Sequence, residues 1–162
     1  QYSLVVRDIE QELIPVCQLK GLGVVVWSPL GGGFLSGKYK PGERTVAGTR
    51  SADEWAYPQR YFAANADQSL QTLLDIAAAT GHSPAQIALR WVLEQPAITS
   101  VIIGARTAEQ ALDNIRTSSF RLDEEALLKL DTVSNLPHRY PEAMEEDMHQ
   151  RRNDAVDMPS LD

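Results

Sequence analysis

The chain has 162 residues, enough for one core of ordinary size. Hydrophobic residues make up 43% and charged residues 23%, a globular balance, and no apolar run approaches the roughly 20 residues of a membrane span. The net charge of −7 argues against sequence-independent nucleic-acid binding, which needs a basic face.

The amino end, Gln1-Tyr2-Ser3-Leu4, has neither the basic region nor the long apolar core of a signal peptide. Asp8 is a suitable N-cap with Gln11 as its box partner. Ile9, Leu13, Val16 and Leu19 then follow helical spacing towards Gly21 or Gly23. Pro15 falls inside this predicted helix and should bend it. Cys17 lies near the apolar stripe and reads as a buried, inert thiol. As the single cysteine it rules out an intrachain disulfide, and a reducing cytoplasm is the expected compartment.

Val24-Val25-Val26-Trp27 predicts a strand covered on both faces. Pro29 stops its ladder, and Gly31-Gly32-Gly33 allow the backbone to turn and approach a ligand closely. A loop of this kind at the carboxyl end of a buried strand suits an anionic ligand, and it equally suits a plain turn. Residues 34–58 carry no strong pattern, which is long for a connection. Lys38, Lys40, Arg44 and Arg50 lie there, each readable as solvated surface.

Tyr61 to Thr80 predicts a helix closed by Gly81, and Ser83-Pro84 opens another that ends at Gln95-Pro96. His82, in the turn between them, reads as a polar turn residue or cap. Thr99 to Ile103 predicts a second buried strand ending at Gly104. Thr107 then caps a helix with Gln110 as box partner and Leu112 and Ile115 facing inward. Gln110, Asp113 and Asn114 share one polar stripe. Asp123 caps a last core helix through Leu127, Leu128 and Leu130. Residues 137–162 are a polar tail. Its Glu142, Glu145, Glu146, Asp147 and His149 read as a solvated acidic face, not a metal site.

The order is α/β alternation with parallel strands. Two apolar parallel strands cannot satisfy their outer edges alone, and the helices outnumber the strands they could cover. Residues 2–6 offer at most a third strand. The expected fold is therefore the carboxyl-terminal part of a (β/α)8 TIM barrel, a fold of about 250 residues. Residues 1–136 are expected to form that portion; the resemblance given next implies that it runs from the end of a sixth strand through the eighth strand and its helix.

Four segments carry a family resemblance. Y-S-L-V-V-R-D-I-E resembles the segment after the sixth strand of aldo-keto reductases. V-V-V-W-S-P-L-G-G-G-F-L-S-G-K-Y resembles their seventh strand and nucleotide loop. S-P-A-Q-I-A-L-R-W-V-L resembles the helix before the eighth strand, and V-I-I-G-A-R-T-A-E-Q-A-L-D-N that strand with its adenosine-phosphate site. The bacterial branch that includes potassium-channel β subunits fits best.

The resemblance implies NADP(H) bound at the carboxyl ends of the strands and a small carbonyl substrate. It implies that Trp27 stacks on the nicotinamide, while Ser28, Pro29, Leu30, Gly31 and Gly32 line the pyrophosphate. Lys38 would give that phosphate a point charge, and Arg50 would lie near the adenosine phosphate. Gly104 would allow close approach of the cofactor, and Arg106 and Gln110 would hold the 2′-phosphate. Asp113 and Asn114 would bind the adenine amino edge. The family's catalytic Asp, Tyr, Lys and His belong to earlier strands, so no catalytic residue is assigned to this chain. The implied protein partner is the amino-terminal half of the barrel. A fragment that binds NADP(H) or another protein without turnover is the alternative.

Overall fold

The structure is a computed structural model that describes residues 1–44, 46, 62–136, 144 and 148. Its order is α1 (Leu13–Lys20), β1 (Val24–Val26), α2 (Ala66–Thr80), α3 (Pro84–Glu94), β2 (Ile98–Val101), α4 (Ala108–Ile115) and α5 (Glu124–Ser134). The two strands pair in parallel, with Val24 beside Ile98 and Val26 beside Val101. The α/β alternation and parallel pairing expected from the sequence are present. Among the described residues, no helix is long and apolar enough to cross a membrane.

The core lies among α2, α3 and α5. Trp91, Ile87, Leu70, Leu73 and Leu130 are fully buried there. Each such side chain stabilises the fold by about 1.5–3 kcal/mol relative to exposure. Trp91 also donates through Nε1 to Asp131 Oδ1 (3.0 Å) and packs against Tyr2, with ring centroids 5.4 Å apart.

The amino-terminal segment is fixed to this body by charge. Arg7 makes a two-point contact with Glu10, Nε to Oε1 at 2.7 Å and Nη2 to Oε2 at 2.9 Å. Its Nη1 donates to Ser134 Oγ (2.7 Å) and to the Asp131 carbonyl (3.1 Å) on α5. Burial lowers the Arg7 pKa, but Glu10 and Asp131 outweigh it and hold the guanidinium above its usual value. The Tyr2 hydroxyl, buried and donating to Glu10, is pushed well above the normal phenol range, mainly by burial.

Several predicted elements differ in detail. Asp8 does not cap α1. Residues Asp8–Glu10 form a short 3-10 turn, and the helix begins at Leu13. Pro15 therefore stands in its first turn, where its missing N–H costs no helical bond. Gly21 closes α1 in the left-handed conformation (φ +64), as expected. Cys17 is half-buried, because nothing among the described residues buries α1.

Neither strand is covered on both faces. Val25 is 58% exposed, and β2 stops at Val101, leaving Ile102 at 57%. Leu112 and Ile115 face outward, not inward, because the polar stripe of α4 is the side that packs on α3. Leu128 of α5 is also exposed.

Candidate functional site

Parallel pairing puts the carboxyl ends of β1 and β2 at one end of the fold. Ile102 extends the ladder by donating from its backbone N to the Val26 carbonyl (2.8 Å). The residues after β1 (27–37) and after β2 (102–107) thus leave side by side. Trp27 is 45% exposed at this end, and its carbonyl accepts from Tyr2 N (3.2 Å).

The glycine loop is tightly wound. Ser28 has φ +57, and Gly31, Gly32 and Gly33 have φ of +56, +66 and +102. Side chains rarely adopt this region, so the glycines are needed here. A Cβ on Gly31 would also meet Val5 Cγ2 at 3.0 Å and Phe62 Cζ at 3.3 Å. The loop spends its own amides: Gly31 N donates to the Ser28 carbonyl (3.0 Å), Gly32 N to Ser28 Oγ (3.3 Å) and Gly33 N to the Leu30 carbonyl (3.0 Å). Contact between these amides and an anion must share or replace those bonds. Pro29 is buried and Leu30 partly buried beneath the loop.

Phe34 anchors the far side of the loop. It is 1% exposed and packs on Tyr39 and Phe62, with centroids at 5.5 and 4.9 Å. Arg44 lies over its ring at 5.8 Å and forms a two-point ion pair with Asp67 of α2, both distances 2.6 Å. Asp67 also accepts from Gly42 N (3.0 Å). Hydrogen bonding from Arg44 holds the Asp67 carboxyl below the usual range. Neither member of this pair was singled out by sequence as a partner, since their separation in the chain hides the contact. Lys38 is exposed between these anchors, and Arg50 lies outside the described residues.

After β2, Gly104 faces open space and Arg106 is exposed. Thr107 Oγ1 accepts from Gln110 N (3.2 Å), capping α4 as expected. The Gln110 side chain accepts from Arg106 N (3.0 Å), one residue earlier than the capping box predicted from sequence. That bond ties Arg106 to the first turn of α4. Asp113 is hydrogen-bonded to the neighbouring helix. Its carboxylate accepts from Ser83 Oγ (2.6 Å) and from Gln86 Nε2 (2.9 Å) at the start of α3. Asn114 is 7% exposed. Among the described residues, no group of three or more His, Cys, Asp or Glu side chains could hold a metal ion.

A parallel strand pair with a positive-φ glycine loop and a capped helix start at one shared end places the chain among α/β folds. A family profile described as the aldo/keto reductase family matches residues 1–135, and the chain belongs to that family. An uncharacterized oxidoreductase of Bacillus subtilis, YrpG, is 38% identical over 82% of this chain and 38% of its own length. A Schizosaccharomyces pombe protein named for a voltage-gated potassium channel subunit beta is 35% identical over 83% of this chain and 41% of its own. Protein tas of Escherichia coli is 34% identical over 86% of this chain and 40% of its own. The chain thus spans about two-fifths of the length of the relatives it matches.

Proposed function

We propose that this chain is the NADP(H)-binding, carboxyl-terminal portion of a (β/α)8 barrel that reduces aldehydes or ketones. The observation that carries the reading is the shared exit of the glycine loop and of Arg106 from two hydrogen-bonded parallel strands. Residues 1–136 are the barrel portion, and the polar stretch 137–162 lies, but for 144 and 148, outside the described residues.

Trp27, exposed at the strand end, offers its ring to the nicotinamide. Ser28, Pro29, Leu30, Gly31 and Gly32 shape the pyrophosphate seat, with Lys38 as a nearby cation. Arg50, by resemblance, adds charge near the adenosine phosphate. Arg106 and Gln110, already joined, take the 2′-phosphate, and a guanidinium suits a phosphate dianion. Gly104 leaves room for the nucleotide. Asn114, by resemblance, meets the adenine amino edge.

When bound, NADPH supplies the hydride for the carbonyl carbon. The proton for the carbonyl oxygen comes from an acid on the other part of the barrel. That part covers exposed apolar side chains such as Val25 and Ile102 at the strands and Leu112 and Ile115 on α4. A second reading, protein binding without turnover, draws on the channel-subunit relative.

Titrating the full-length protein with NADPH and NADH tests the nucleotide role. Arg106→Ala should weaken NADPH by roughly 10- to 100-fold, the worth of a charged hydrogen-bond contact, and barely affect NADH. Equal loss for both nucleotides would remove the 2′-phosphate role. Aldehyde-dependent oxidation of NADPH by the full-length protein separates the first reading from the second.

A further inference from the structure

We infer that the first turn of α3 is a spacer that holds the two ends of the nucleotide site in register, with Ser83, Gln86 and Asp113 as positioning residues that do not touch the ligand. The inference rests on the nucleotide reading above and assigns Asp113 a different task from adenine binding.

One side of the spacer meets the glycine loop. Gly37, at the loop's exit, has φ +83, and a Cβ there would lie 2.9 Å from Pro84 Cγ. The loop backbone thus rests directly on the Pro84 ring, and only glycine fits the contact.

The other side grips α4. Ser83 Oγ accepts from Gln86 N (3.2 Å) and gives its one hydrogen to Asp113 Oδ2 (2.6 Å). Gln86 Oε1 accepts from Ser83 N (3.1 Å), completing a capping box. Gln86 Nε2 donates to Asp113 Oδ1 (2.9 Å) and to the Asp113 carbonyl (3.0 Å). Every side-chain hydrogen of Ser83 and Gln86 is therefore spent on Asp113. Gln86 is 7% exposed, which strengthens these bonds by excluding water. A second contact acts alongside: His82 stacks on Phe120, just beyond α4, at 3.7 Å and 10°.

Asp113 lies one turn from Gln110, whose side chain holds Arg106. A rigid path therefore runs from Gly37 through Pro84, Ser83 and Asp113 to Arg106. It sets the distance between the pyrophosphate loop and the 2′-phosphate cation, and a ligand that spans both depends on that distance.

The test uses the full-length protein with Ser83→Ala, Ser83→Thr, Asp113→Ala and the Ser83→Ala/Asp113→Ala double variant. Binding is measured for NADPH, NADH and the reduced hypoxanthine analogue of NADPH, which lacks the adenine amino group. Ser83→Ala and Asp113→Ala should each weaken NADPH about tenfold, the scale of one charged hydrogen bond. The analogue should lose the same factor, NADH much less, and the double variant no more than either single one. Ser83→Thr, which keeps the hydroxyl, should bind like the wild type. In the nucleotide-free protein, hydrogen exchange across 108–115 should quicken equally in both alanine variants. If Asp113→Ala weakens NADPH but not the analogue while Ser83→Ala is neutral, Asp113 touches adenine and the inference falls. It also falls if Ser83→Ala leaves exchange in α4 unchanged. A wild type that binds no NADPH overturns the nucleotide reading, and the exchange result still decides whether α3 positions α4.

Discussion

The helical body and the strand side of this molecule are finished to different degrees. Around α2, α3 and α5, Trp91, Leu73 and Leu130 are fully buried and the polar groups among them are paired. At the strands Val25 and Ile102, and on α4 Leu112 and Ile115, are each more than half exposed. The same apolar residue types thus form a core in one place and a surface in the other. Composition does not produce that contrast. Two paired strands leave both outer edges of the sheet open among the described residues, as expected for a portion of the proposed barrel. The exposed side is also where the glycine loop and Arg106 emerge.

The largest expected effect breaks the finished side. Trp91→Ala removes a fully buried ring and its hydrogen bond to Asp131, and should cost about 3–5 kcal/mol in chemical denaturation. A loss below about 1 kcal/mol would mean the helical body is less well packed than it looks.

A smaller effect sharpens the open side. Leu112→Ser should change the stability of the 162-residue chain by under about 0.5 kcal/mol, since Leu112 is 57% exposed there. In the full-length protein the same change should cost about 2 kcal/mol or more, because the residue is then buried. Equal effects in the two backgrounds would show that nothing covers this face.

The smallest effect concerns the loop anchor. Asp67 has a depressed pKa, so its contribution is present above the ordinary carboxylate range and is lost as pH falls through its lower folded value. Both partners are well exposed, so Asp67→Asn should cost only about 0.2–1 kcal/mol near neutral pH and flatten the acid limb of stability. An unchanged acid limb, measured by denaturation between pH 2 and 6, would show that Arg44 gains nothing from the pair.

Local signals were the legible ones. Ser83-Pro84, Thr107, Asp123, Gly21 and Gly81 each mark a helix end from the sequence, because a cap or a left-handed glycine needs no distant partner. The start of α1 was misread because Asp8 has cap chemistry but a 3-10 turn intervenes before Leu13. The inward direction expected for Leu112 and Ile115 failed for a different reason. Periodicity identifies an apolar face, but which neighbour covers it is a long-range fact. The polar stripe of α4 was legible too, while the Ser83 and Gln86 contacts that occupy Asp113 were not, being 30 and 27 residues away. The order of the nucleotide-site segments was carried by family resemblance.

Hydrogen–deuterium exchange of the full-length protein, with and without NADPH, tests the central claim most directly. Binding should slow exchange across 27–37 and 102–115 together and leave 124–134 in α5 unchanged. Protection confined to the helical body, or present in one of the two loop regions without the other, would contradict a nucleotide laid across the ends of β1 and β2.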